Sequence, residues 1–359
     1  MRRWMGSALV LLAACAGGDA APVNTEEELG PAVAEIAGLD RVRHVVELPD
    51  GGVVAVSGGT LVRLDFEAGT VDSLGRSGQG PGEYEAIGHP FLRGGVLWGV
   101  DQWQQRLVSW SLEGTPGAVV TFPVVIVASP FDVDTLGRIY YEQASTTGFV
   151  VTGQEVDSTR SPDSTWVFRF TPPDTKRDTV ARLFEVGWEA LRLAGGGVAR
   201  LRRDYASADQ WGVLADGTLW IARGQQNRVD RRAPDGTWTI GVPRPWTPVT
   251  TVEADRRYFR ARPGSAGISD SVARPMSDTK GPFSEAIAAP DGAVWTRIQQ
   301  SAGHDIERYA VFPVNGSSTR TVTLGPGLSV VGISAQWVYA AEEDEVGLHT
   351  LRRYERPPR

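Results

Sequence analysis

The chain has 359 residues, 41% of them apolar and 22% charged, with 42 glycines, 23 prolines and a net charge of −7. That length supports a large core, and the mix fits neither a disordered polymer nor a bundle of membrane helices. The acidic balance argues against a nucleic-acid surface, and abundant Gly and Pro with 12 Trp favour many short strands joined by tight turns.

The first element in chain order is an export signal over residues 1–14. Arg2 and Arg3 give a positive start, and Trp4 to Ala14 is an apolar run too short for a permanent membrane span. It ends in Leu12-Ala13-Ala14-Cys15, which resembles the lipobox of bacterial lipoprotein signal peptides. That resemblance implies lipidation of Cys15, removal of the preceding segment and anchorage to a membrane through the N-terminal lipid. Cys15 is the single cysteine of the chain, so the exported body has no disulfide and its core is held by packing. Residues 15–29 then read as the lipidated Cys and a flexible tether. Asp19 does not follow the cysteine directly, so the inner-membrane retention rule of enteric bacteria does not apply and the outer membrane is expected.

Residues 30–359 repeat one phrase, a glycine turn followed by an apolar or aromatic strand. It reads "LPDGGVVAV" at Leu48, "LRGGVLWGV" at Leu92, "DTLGRIYYE" at Asp134, "LADGTLWIA" at Leu214 and "APDGAVWTR" at Ala289. "SAQWVYAA" at Ser334 is a sixth copy without the glycine. Asp-Gly between apolar runs is a strong hairpin signal, because Gly accepts positive φ and Asp bonds its own backbone. Gly51, Gly94 and Gly137 are spaced 43 residues apart, and the next gaps, to Gly217 and Gly292, are 80 and 75. A four-stranded propeller blade takes about 40 to 45 residues. The wide gaps therefore hold one blade plus an insertion each. The fold class is all-β: a six-bladed β-propeller of four-stranded antiparallel blades, with seven blades as the alternative. In the last gap Thr250-Thr251-Val252-Glu253 reads as a capping box, which predicts a short helical insertion near 251–262 ended by Pro263-Gly264. The last blade offers three strands, and a segment near Ala32 to Ile36 is expected to supply the fourth and close the ring.

"GRSGQGPGEYEAIGHPFLRGGVLWGVDQWQQRLVSW", Gly75 to Trp110, is similar to the NHL repeat, with Asp101 and Arg106 matching its Asp and Arg. "LWIARGQQNRV", Leu219 to Val229, repeats its second half with Arg223 where Asp would stand. With its Gly-Gln-Gly-Pro-Gly-Glu-Tyr corner, the chain resembles bacterial six-bladed propeller lipoproteins, most of which have no assigned activity.

The glycine corner is not a phosphate cradle. No Lys follows it as a Walker loop requires, Pro81 removes a backbone donor, and the spacing of Gly78, Gly80 and Gly82 is wrong for a dinucleotide fingerprint. It reads as the corner where the chain returns from an outer strand to the next inner strand. Loops on that face carry the candidate ligand-binding residues Arg76, Glu83, Tyr84, His89, Trp103, Gln104, Gln299 and His304, with Trp103 and His304 at their tips. No catalytic set is recognisable. There is no Gly-x-Ser-x-Gly elbow, and the few Asn residues do not suit a calcium lactonase; His44 and His89 lie on or near neighbouring inner strands, but His349 falls on a third strand, so the four His do not suit a three-His zinc lyase. The expected function is a lipid-anchored envelope protein that binds a protein, peptide or glycan ligand without catalysis or cofactor. The alternative is a metal-assisted, lactonase-like hydrolase or lyase using Ca or Zn over the central channel.

Overall fold

The computed structural model describes residues 25–101, 103–122, 131–142, 164–174, 176–184, 188–192, 198–261, 276–315 and 320–358. The signal segment, Cys15 and Pro263-Gly264 lie outside the described residues.

The repeated glycine phrase is the turn between the first and second strands of a blade. Leu48 N donates to Gly52 O and Gly51 N to Leu48 O, a tight turn whose glycine has φ +83°. The same pair of bonds recurs at Asp134–Arg138, Leu214–Thr218 and Ala289–Ala293. This is a type I turn followed by a left-handed residue, which glycine adopts without strain. At the sixth copy the Ser334 hydroxyl replaces the glycine: it accepts the Gln336 and Trp337 amides at 3.3 and 3.0 Å.

These turns seed six antiparallel blades. Blade 1 is Val42–Glu47, Val53–Ser57, Thr60–Asp65 and Thr70–Ser73. Blade 2 is Ile87–Arg93, Val96–Asp101, Arg106–Trp110 and Pro116–Thr121. Blade 3 is Phe131–Val133, Ile139–Glu142, Ser164–Phe170 and Asp178–Phe184. Blade 4 is Gln210–Val213, Leu219–Arg223, Arg228–Arg232 and Trp238–Thr239. Blade 5 is Phe283–Ala288, Val294–Ile298, Glu307–Phe312 and Arg320–Leu324. Blade 6 takes Ser329–Ile333, Trp337–Glu343 and His349–Glu355 from the end of the chain and Ala34–Leu39 from its beginning. Ile36 stands opposite Leu351 in that last pairing, so the ring closes as the sequence predicts. The first strands of successive blades lie against one another around the axis.

The core is divided among the blade interfaces. One apolar cluster fills each contact, from Val54, Leu97 and Trp110 between blades 1 and 2 to Ile36, Val53 and Tyr339 between blades 6 and 1. Trp110 and Trp295 are fully buried. Each such side chain contributes about 3 kcal/mol by leaving water, and no disulfide is required.

Two expectations need correction. The tether expected to reach residue 29 ends earlier. Thr25–Glu28 is a fifth strand of blade 5, parallel to Arg320–Leu324. Two ion pairs, Glu26–Arg308 at 3.1 Å and Glu27–Arg320 at 3.5 Å, hold it, and Leu29 enters the core. The helix, α1, is Glu253–Ala261 as expected, but its cap is displaced. The Asp255 carboxylate accepts the Val252 amide at 2.9 Å, whereas the Thr251 hydroxyl is buried without a hydrogen-bond partner among the described residues. Asp255 also takes the Lys280 ammonium at 2.6 Å, both side chains 3% exposed, and this fixes which carboxylate turns back. Lys280 further donates to Gln300 O and lies 4.6 Å from the Tyr205 ring centre. The helix is thereby pinned between blade 5 and the segment that follows the hairpin Trp188–Arg192/Val198–Arg202, the insertion after blade 3.

Candidate functional site

Loops joining second to third strands, and crossings from an outer strand to the next blade, share one face of the ring. The glycine corner is the crossing from blade 1 to blade 2. Arg76–Ser77 pairs in parallel with Glu83–Tyr84, so the corner folds back on itself. A Cβ on Gly75 would stand 2.2 Å from Gly82 O, and one on Gly82 would stand 2.6 Å from Pro116. Both have positive φ, so only glycine fits either place.

Arg106 is the spindle of this corner. Its guanidinium donates to Gln79 O at 2.7 Å, Glu83 O at 2.8 Å and Gly78 O at 3.2 Å. It also pairs at 3.3 Å with Asp101, which is wholly buried and caps the loop by accepting the Gln104 and Glu85 amides. Asp101 and Arg106 thus form an ionic buckle. Blade 4 builds its buckle with the charges rearranged: Arg223 bridges Asp209 at 2.7 Å and Asp230 at 2.8 Å. In blade 5, Arg297 pairs with Glu307 at 2.8 Å. Burial pushes the Glu307 carboxyl up, but Arg297 and His304 outweigh it and hold it below the ordinary range.

The sequence-predicted residues separate into three groups. Arg76, Glu83, Tyr84 and Gln104 belong to the corner. Glu83 accepts the Gly80 amide at 2.8 Å and Arg76 Nε at 2.7 Å. The Tyr84 hydroxyl accepts Leu61 N and donates to Leu74 O, and its ring meets Trp110 edge-on at 6.0 Å. Gln104 donates to Gly78 O at 2.8 Å. Trp103, between the two anchored residues Asp101 and Gln104, is 77% exposed. Gln299 and His304 sit on blade 5: His304 faces Ser301 O and Glu307 Oε1, each at 3.0 Å, and Gln299 donates to Phe283 O at 2.9 Å. His89 lies apart, on the first strand of blade 2.

His89 belongs to a polar chain across three blades. Its ring centre is 4.8 Å from that of His44, and its Nε2 is 3.6 Å from Asp132 Oδ1. His44 sits at a bulge with φ +50°. Loss of solvation pushes His44 down to about 3, with the neighbouring His89 and Arg43 adding to the effect, and pushes His89 down to about 4. Burial pushes the Asp132 carboxyl up to about 7, against the hydrogen bonds it accepts from Val213 and Val133. His349 is elsewhere, accepting the Val42 amide at Nδ1 where blades 6 and 1 meet. Among the described residues no group of three His, Cys, Asp or Glu side chains could hold a metal ion. The acidic run Glu342 to Glu345 forms a turn around Asp344, which accepts the Val346 and Leu348 amides. Sequence reasoning missed Asp132, which no local motif marks.

Fold and face together define a six-bladed β-propeller in which ionic buckles tie down the second-to-third-strand loops of blades 2, 4 and 5. The chain is similar over 90% of its length to virginiamycin B lyase from Staphylococcus aureus, at 10% identity, 98% coverage of that chain and a TM-score of 0.44. It is similar to a Bacteroides fragilis protein described as exported, at 9% identity, 93% and 99% coverage and a TM-score of 0.49. Regucalcin from Agrobacterium tumefaciens, a calcium-binding protein, is similar at 11% identity, 93% and 98% coverage and a TM-score of 0.43. No family model matches the chain, and no curated protein matches it in sequence. Among the described residues no helix is long and apolar enough to cross a membrane.

Proposed function

We propose that this chain is a lipid-anchored envelope protein, held at the outer membrane through Cys15, whose propeller binds a protein, peptide or glycan without catalysis. The observation that carries the binding role is Trp103. An indole 77% exposed is held at the tip of a loop whose neighbours are fixed by Asp101, Arg106 and Gly78. A lone exposed aromatic is ordinary. One presented by a buried ionic buckle is pre-organised, so little ordering entropy is lost when a partner covers it. Arg76, 81% exposed and steered by Glu83, offers a charged contact on the same corner. The metal-assisted alternative has no donor set among the described residues and is not proposed.

Affinity capture from solubilised envelopes tests this. The wild-type chain should retain a reproducible partner that Trp103→Ala binds at least about tenfold more weakly, as an aromatic anchor implies. Cys15→Ser should release the protein from the membrane fraction. Equal capture by wild type and Trp103→Ala would remove this face from the account.

A further inference from the structure

The outer rim of blade 4 carries an apolar run that the core does not use. Gly236 to Pro243, "GTWTIGVP", holds no charged side chain. Trp238–Thr239 is the outermost strand of its blade, paired on one side with Arg231 and Arg232, so its other side is an edge of the sheet. Trp238, Ile240 and Val242 are 38%, 58% and 67% exposed. Gly241, between the last two, turns inward: its amide donates to Asp230 Oδ1 at 3.2 Å, and a Cβ there would stand 2.2 Å from Val229 O. The alternation of an extended chain then turns the three large side chains outward together. Single exposed apolar residues are ordinary, but three at alternate positions on a sheet edge without a charge among them form a contact surface.

What covers this rim follows from where the chain enters the fold. Thr25 begins the strand laid on blade 5, opposite Arg320. Arg244, two residues after Val242, donates to Arg320 O at 3.4 Å and to Thr321 Oγ1 at 2.7 Å. One arginine thus joins the rim to the entry point. Nine residues, Ala16 to Asn24, separate Thr25 from Cys15. Even fully extended, a link of that length reaches no more than about 35 Å. A lipid on Cys15 therefore holds the side of the ring formed by blades 4 and 5 nearest the bilayer. The acidic residues at the entry are matched, Glu26 by Arg308 and Glu27 by Arg320. An indole with two aliphatic side chains and no charge is a composition that settles at the boundary between lipid headgroups and acyl chains.

We infer that the rim formed by Trp238, Ile240 and Val242 is the surface on which the propeller rests against the lipid bilayer. This rests on the anchoring through Cys15 proposed above and adds an orientation to it. Blade 2 stands across the six-membered ring from blade 5, so Trp103 is then presented on the side away from the membrane.

Nitroxide labels on the full-length lipidated chain in vesicles of phosphatidylethanolamine and phosphatidylglycerol are the test. Lipidation occupies the single native thiol, so Ile240→Cys gives one labelling site. Val119→Cys, at an exposed position on the outer strand of blade 2, is the control. Oxygen dissolves in lipid, whereas a nickel chelate stays in water. Collisions with the nickel chelate should be at least about fivefold fewer at Ile240→Cys than at Val119→Cys, and collisions with oxygen more frequent, as for side chains about 5–10 Å into the interface. Val242→Cys should read the same, and it stands in if Ile240→Cys does not fold. Equal readings at blades 4 and 2 would overturn the inference. So would protection of Ile240→Cys from both reagents, which is the signature of a protein cover. A Cys15→Ser chain that stays on the membrane would refute the anchor and the inference with it. Water-exposed Ile240→Cys in a chain that Cys15 still tethers would remove the rim alone.

Discussion

At the scale of single residues, the polar chain His44–His89–Asp132 has a consequence for acid stability. Depressed His44, His89 and His349 bind fewer protons folded than unfolded, so the stability they allow is complete above about pH 6.5 and falls as pH drops toward their folded values. Asp132 acts in the opposite sense: raised to about 7, it favours the fold below about pH 4 and loses that contribution as pH rises. Three histidines outweigh one carboxyl, and the depressed carboxylates Glu83 and Glu307 act only in more acid solution. Urea midpoints should therefore fall between about pH 6.5 and about pH 4.5, and His44→Asn with His89→Asn should flatten or invert that slope. An acid slope in the double variant as steep as in wild type would contradict the assignment. Only part of this chain was legible. The sequence places His44 and His89 on neighbouring inner strands, but Asp132 joins them across a blade boundary that no local pattern encodes.

At the scale of elements, the glycine corner is a structural device organised by one buried guanidinium. Arg106 satisfies three carbonyls and the only cationic partner of Asp101 is Arg106 among the described residues. Arg106→Ala leaves a fully buried carboxylate unpaired and three carbonyls short of a donor. Destabilisation by about 3–5 kcal/mol should follow in urea denaturation, with Trp103 losing its fixed setting. A loss below about 1 kcal/mol would mean that the corner holds itself. The corner was readable because Gly, Pro and an Asp–Arg pair are local signals. The helix cap was readable only in outline. Its Thr-x-x-Glu spacing matched, yet Asp255 turned back in place of Glu253, because Lys280 arrives from 25 residues later.

At the scale of the whole molecule, the six blades form a closed ring. The recurring turns at Gly51, Gly94, Gly137, Gly217 and Gly292 mark five blades, and Ser334 starts the sixth. Their spacing was legible because each turn needs a left-handed residue that glycine supplies. The fifth strand of blade 5 was not, since acidic Thr25–Glu28 resembles a tether until Arg308 and Arg320 are placed beside it. Closure pairs the two ends of the chain: Ala34–Leu39 lies on His349–Glu355 and buries Ile36 and Leu39 between blades 6 and 1. This fixes the loops on the face of the glycine corner relative to one another. The most direct measurement is the thermal melt of a chain lacking residues 30–39. The closed ring predicts a melting temperature lower by at least about 5 °C with loss of a single cooperative transition; an unchanged, single melt would contradict it.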